Sequence, residues 1–122
     1  DLVDSTDFLP TILDAAGKPV AKEVQLDGRS FYPQLMGKSG TPREWVFCHY
    51  DPRPGWDKEK FTMERFARDK RFKLYDNGKL FNVPADLLEE RPIPVTDDSE
   101  QSATARKALQ HVLDSMPVPE PK

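Results

Sequence analysis

The dipeptide Asn77-Gly78 lies between two runs whose apolar residues recur at every second position, and nothing else in the chain restricts its fold as strongly. Asn-Gly accepts positive φ at both central positions of a two-residue loop, which suits the twist of an antiparallel pair. Arg71 to Tyr75, a turn over Asp76-Asn77-Gly78-Lys79, and Leu80 to Val83 therefore read as a hairpin. The alternation extends upstream. Phe61 to Asp69 places Phe61, Met63, Arg65 and Ala67 on one face, with Thr62, Glu64, Phe66 and Arg68 on the other. Trp45 to Tyr50 forms a further strand, broken by Asp51-Pro52-Arg53-Pro54-Gly55, where two prolines remove backbone donors. The pattern thus predicts four strands.

On both sides of these strands the period becomes helical. Asp4 to Ala16 carries Phe8, Leu9, Ile12 and Leu13 on one face, with Ser5 or Thr6 as N-cap, Pro10 tolerated in the first turn and Gly17 as the stop. A helix this short needs a packing partner for its apolar face. Ser30 is placed to cap one turn from Phe31 to Met36, which Gly37 ends. Lys38 to Arg43 reads as a linker and is the best internal boundary. Asp98 and Gln101 form a capping box for a last helix. Its face of Ala105, Leu109, Val112, Leu113 and Met116 suits one side of the sheet. The fold class is α+β: a four-stranded antiparallel sheet packed with a C-terminal helix, preceded by a helical segment.

Composition narrows the function. With 122 residues, 18 basic and 21 acidic groups and a net charge of −3, the chain has room for one modest core and shows no basic face for nucleic acid. The stretch from Lys58 to Lys73 is locally basic and reads either as a solvated strand face or as a surface for an anion. No apolar run has the length of a membrane span. The single Cys48 excludes an internal disulfide and reads as a small buried strand residue. The start, Asp1-Leu2-Val3, is what a piece of a longer polypeptide would show.

Four segments resemble the sulfatase family, in its order. Asp7-Phe8-Leu9-Pro10-Thr11-Ile12-Leu13-Asp14-Ala15-Ala16-Gly17 is similar to the D-L-x-P-T-L-L-x-x-A-G helix. The stretch from Leu26 to Gly37 is similar to L-D-G-x-S-L-x-P-x-L-x-G, and Ala67 to Tyr75 to x-R-x-x-x-y-K-L. Leu80 to Asp86 with Glu89 and Glu90 stands where the family has L-Y-D-L-x-x-D-P-x-E. Asn82 departs from the usual Asp, Leu87 from Pro, and the family's Asn-Leu ending is missing, so an altered loop is expected there.

The resemblance implies a large α/β catalytic domain followed by a small sheet-and-helix domain. Residues 1–40 would be the tail of the former, and residues 41–122 the latter. The expected partners are the missing catalytic domain and a sulfated small molecule or glycan, with self-association through the exposed 1–40 segment; nucleic acid and membrane are not expected. The family's nucleophile is a formylglycine made within C/S-x-P-x-R, assisted by a divalent cation, usually Ca2+, that neutralises the sulfate. Family members are commonly exported, to a periplasm or outside the cell.

Neither cofactor is expected from this chain's own residues. Cys48-His49-Tyr50-Asp51-Pro52 and Ser39-Gly40-Thr41-Pro42-Arg43 both miss the nucleophile spacing. Asp97, Asp98 and Glu100 fit helix capping, Glu89 and Glu90 fit a solvated loop, and His111 fits a surface position. No catalytic or metal residue is therefore assigned. The loop from His49 to Trp56 is the candidate for lining a substrate cleft, through His49, Tyr50, Arg53 and Trp56. Aromatics stack on sugars and arginine forks onto sulfate; simple packing of Tyr50 and Trp56 is the competing reading. On these grounds the chain is expected to be an inactive C-terminal fragment of a sulfatase. The alternatives are a piece of another alkaline-phosphatase-superfamily phosphoesterase or phosphonoesterase, and a non-catalytic interaction module.

Overall fold

The computed structural model describes residues 1–21, 23–51, 60 and 62–118. They fall into two compact units, Asp1–Val46 and Phe47–Lys122. None of the described helices is long and apolar enough to cross a membrane.

The first unit begins with a 3-10 turn, Ser5–Asp7, that runs into helix α1, Phe8–Ala15. The cap is Asp4, not Ser5 or Thr6. Its carboxylate accepts the Thr6 amide at 2.9 Å, while the Asp4 amide donates to Asp7 at 2.9 Å. Two carboxylates thus share the reciprocal box, Asp4 taking the Thr6 amide and Asp7 the Asp4 amide. Gly17 closes α1 with φ +63°. Helix α2, Tyr32–Leu35, is a single turn. Ser30 Oγ accepts its Tyr32 amide at 3.2 Å, and Gly37 follows it. Phe8 meets Phe31 edge to face at 5.7 Å, yet Phe8, Leu9 and Ile12 remain exposed. The apolar face of α1 thus finds little cover within its unit.

The second unit is the expected α+β layer pair. Strands β1 (Val46–Tyr50, most of it in this unit), β2 (Glu64–Arg68), β3 (Phe72–Tyr75) and β4 (Leu80–Asn82) form one sheet in sequence order. Antiparallel register pairs Ala67 with Leu74 and Leu74 with Leu80. These three residues face helix α3, Glu100–Ser115, whose Ala105, Leu109, Val112 and Leu113 are buried. The period-two and period-3.6 patterns therefore meet in one core, which includes Phe72.

Three local expectations are corrected. The β3–β4 turn takes positive φ at Gly78 only, at +85°, and not at Asn77. The Gly78 amide donates to the Tyr75 carbonyl and the Tyr75 amide to the Lys79 carbonyl, both at 3.0 Å. This is a three-residue loop with a glycine bulge rather than the two-residue type. The α3 cap is Ser99, whose Oγ accepts the Ser102 amide at 3.2 Å. Asp98 lies one residue too early and pairs with Arg106 instead. Cys48 is half-buried rather than buried.

Arg65, on the alternating face of β2, points into the helix side and is buried. Its guanidinium lies over the Phe47 ring and donates to the Leu113 and Met116 carbonyls at 3.2 and 3.0 Å. A cation at the negative end of α3 stabilises both the helix and its place on the sheet.

Candidate functional site

Strand β1 carries the two described members of the sequence-predicted lining set. His49 is half-buried, and its Nδ1 is buried with no hydrogen-bond partner among the described residues. Tyr50, at the strand end, is exposed. Pleating puts these neighbours on opposite faces of the sheet, so both can serve one ligand only where that ligand reaches around the end of β1. Arg53 and Trp56 lie outside the described residues.

A second polar cluster stands on the sheet face opposite α3. Lys73 Nζ sits 4.0 Å from the Phe66 ring centre and 4.6 Å from that of Tyr75. It donates to Glu89 Oε1 at 2.7 Å, while Tyr75 Oη donates to Glu89 Oε2 at 2.5 Å. The expectation that Glu89 is solvated is therefore wrong. Its backbone takes φ +56°, a left-handed conformation rare for glutamate, and the paired contacts hold it there. Burial works against the Lys73 charge, but hydrogen bonds to Glu89 and Tyr75 and the nearby negative charge raise its pKa overall. Burial and the Glu89 carboxylate together raise the Tyr75 pKa, which keeps the phenol a donor. The cluster is internally satisfied and does the work of a loop clasp.

The acidic group before α3 is also structural. Asp98 accepts from Arg106 Nε at 2.8 Å and Nη2 at 3.1 Å. The hydrogen bond from Arg106 is the main cause lowering its pKa. Arg106 also donates to the Ile93 and Gly78 carbonyls, tying α3 to the hairpin tip. Among the described residues no group of three or more His, Cys, Asp or Glu could hold a metal ion. The described residues therefore do not assemble a calcium site. Arg43, in one of the near-miss nucleophile motifs, is held by Asp7: Nε at 2.7 Å from Oδ2, Nη2 at 2.6 Å from Oδ1.

Arg43, Arg65, Glu89 and Arg106 escaped sequence reasoning as structural centres. Each pairs with groups 8 to 51 residues away along the chain. Of the four, Glu89 had a signal in its place in the D-P-x-E-like segment, and Arg65 in its alternation with Ala67 on one face of β2.

The sheet and the long helix across one face, with most of the other face left to side chains, define a small α+β layer domain. No protein-family model and no curated protein matches the chain. Among solved structures, that of BT4656 in complex with its substrate D-glucosamine-2-N,6-O-disulfate is similar, with a TM-score of 0.66 and 25% identity. The match takes in 88% of this chain and 23% of that one. The chain thus spans about a quarter of the length of a protein whose substrate is a disulfated sugar.

Proposed function

We propose that this chain is the C-terminal part of a sulfatase, and that the complete polypeptide hydrolyses sulfate esters of a carbohydrate or aryl alcohol. The observation that carries the reading is the fold match across 88% of the chain to part of a protein solved with a disulfated glucosamine. The ordered sulfatase-like segments from Asp7 to Glu90 support it. In this reading residues 1–40 complete the catalytic domain and residues 41–122 form the small C-terminal domain. The formylglycine and the calcium ion belong to the remainder of the polypeptide, which is exported. The formylglycine, as its hydrate, would supply the nucleophile, and the ion the charge that lets it approach an anionic ester.

This chain's contribution is to shape the cleft. Tyr50 offers a flat apolar surface for a sugar ring at the end of β1. His49, half-buried on the same strand, offers its imidazole to a ligand that reaches around the strand end. Arg53 supplies a fork for a sulfate group, and Trp56 a second stacking surface.

The test is sulfate release by the complete polypeptide from glucosamine 2-N,6-O-disulfate and from an aryl sulfate, with glucosamine 6-phosphate as control. Sulfate release is expected. Preferential phosphate release would overturn the reading in favour of a phosphoesterase, and no release of either in favour of an interaction module. Tyr50→Ala is expected to raise KM about fivefold with kcat nearly unchanged, as loss of binding shared by ground and transition states requires.

A further inference from the structure

The Asn77-Gly78 dipeptide that sets the hairpin also brings together a reactive pair, the side-chain amide carbon of Asn77 and the backbone nitrogen of Gly78. Three features of the turn favour bond formation between them. Gly78 has no side chain to obstruct its nitrogen, and even a Cβ built there would meet nothing within 4 Å. The Lys79 amide donates to Asn77 Oδ1 at 3.1 Å. That oxygen is where negative charge develops when Cγ is attacked, so the donor polarises Cγ and stabilises the tetrahedral intermediate. Residues 76–79 are all exposed, which gives water access to the product ring.

Against these stands the hydrogen bond from the Gly78 amide to the Tyr75 carbonyl, at 3.0 Å. Its proton must leave before the nitrogen can attack. A single exposed hydrogen bond of this kind slows the step by about tenfold at most. The chain's other asparagine, Asn82, is placed oppositely. It is half-buried and precedes the branched, half-buried Val83, whose amide donates to the Arg71 carbonyl at 2.8 Å. The Asn82 carbonyl is itself held by the Ala85 and Asp86 amides at 3.0 and 2.9 Å.

We propose that Asn77-Gly78 is a spontaneous modification site that converts through a succinimide to aspartate and isoaspartate, and that the isoaspartyl form opens the hairpin tip. The Gly78 nitrogen bonds to Asn77 Cγ, the Cγ–Nδ2 bond breaks, and ammonia leaves with the proton that the Gly78 nitrogen gave up. Water then opens the ring at either carbonyl, with no oxidant or reductant needed. Opening at one carbonyl gives aspartate and restores the original main chain. Opening at the other routes the main chain through Cβ and Cγ of residue 77, one carbon longer, and leaves a free carboxylate. The three-residue loop has no room for that carbon without losing the Gly78–Tyr75 bond. The Gly78 carbonyl, which accepts Arg106 Nη1 at 3.0 Å, moves away from α3 with it.

The test incubates the complete polypeptide at mildly alkaline pH beside an unstructured peptide of residues 73–81. Mass spectrometry with electron-transfer fragmentation separates aspartate from isoaspartate at each position. Asn77 is expected to be lost from the folded protein within about tenfold of the peptide rate, giving both products, while Asn82 stays intact. Slower loss than this, loss at Asn82 as fast as at Asn77, or aspartate without isoaspartate would overturn the proposal. In the purified isoaspartyl form the Gly78 amide is expected to exchange hydrogen at least about tenfold faster than in the unmodified protein. The Asn77→Asp variant, which adds the charge without lengthening the chain, is expected to exchange within about twofold of the unmodified protein. An isoaspartyl form that exchanges like the unmodified protein, or an Asn77→Asp variant that exchanges as fast as the isoaspartyl form, would show that the added carbon does not open the tip.

Discussion

Replacing Asp7 by asparagine sets two opposing effects against each other inside the first unit. Asp7 is 2% exposed, and its burial by itself disfavours the carboxylate. Opposing that are the Arg43 guanidinium and the Arg29 and Asp4 amides, which donate to it at 2.6 to 2.9 Å. The donors win and bring its pKa from 3.8 down to about 2. That difference corresponds to about 2 kcal/mol favouring the charged, folded form. Because the folded pKa is the depressed one, this stability is fully present above pH 3.8 and is lost as pH falls through about 2. Asparagine removes the charge at every pH and turns an N–H toward groups that are all donors. Arg43 is left nearly buried without its counter-ion, and breaking such a pair costs about 3–5 kcal/mol. The assay is denaturant unfolding followed through the Arg29 and Phe31 amide resonances, with the wild-type carboxyl titrated by carbon NMR. The expected results are a loss of at least about 3 kcal/mol for Asp7→Asn and a wild-type titration midpoint near 2. A wild-type midpoint near the ordinary carboxylate value, or a loss under about 1 kcal/mol, would show that solvent screens the pair and that the reasoning is wrong.

Three further outcomes are expected. Gly28→Ala would drive its Cβ into the Thr6 carbonyl, displacing the strand of chain that delivers the Arg29 amide to Asp7, at about 1–3 kcal/mol in the same resonance-based unfolding assay. Leu109→Ala leaves a cavity between α3 and the sheet, where Leu109 is fully buried; a loss of about 2–5 kcal/mol should appear in thermal unfolding of the second unit. A double-mutant cycle of Lys73→Met and Glu89→Gln should give a coupling of about 1 kcal/mol, with faster hydrogen exchange at Glu90 and Arg91 in the Glu89→Gln variant. A coupling near zero would mean that the Asp86 carboxylate holds the turn alone.

Periodicity made the second unit legible before any coordinates. Ala67, Leu74, Leu109 and Val112 have neighbours dictated by strand and helix geometry, so their burial follows from position along the chain. The first unit was less legible because a single polar side chain organises it. Nothing near Asp7 in sequence indicates that Arg29 and Arg43, 22 and 36 residues on, will converge there. The proposed lining set divides similarly. His49 and Tyr50 read as the end of a strand and are found there, but a pattern of residue types gives no measure of which ring nitrogen lacks a partner.

Order along the chain thus determined the elements, their faces and the hairpin, because steric and hydrophobic periodicities act between residues close in sequence. Tertiary structure alone decided that Asp98 serves Arg106 and leaves the cap to Ser99. It alone moved Glu89 from solvent onto Lys73 and Tyr75, and left Leu87 and Leu88 standing out from the turn. The physical reason is common to these cases: a charged or hydrogen-bonding side chain chooses among partners by distance in space and by burial, and neither quantity exists until the chain has folded.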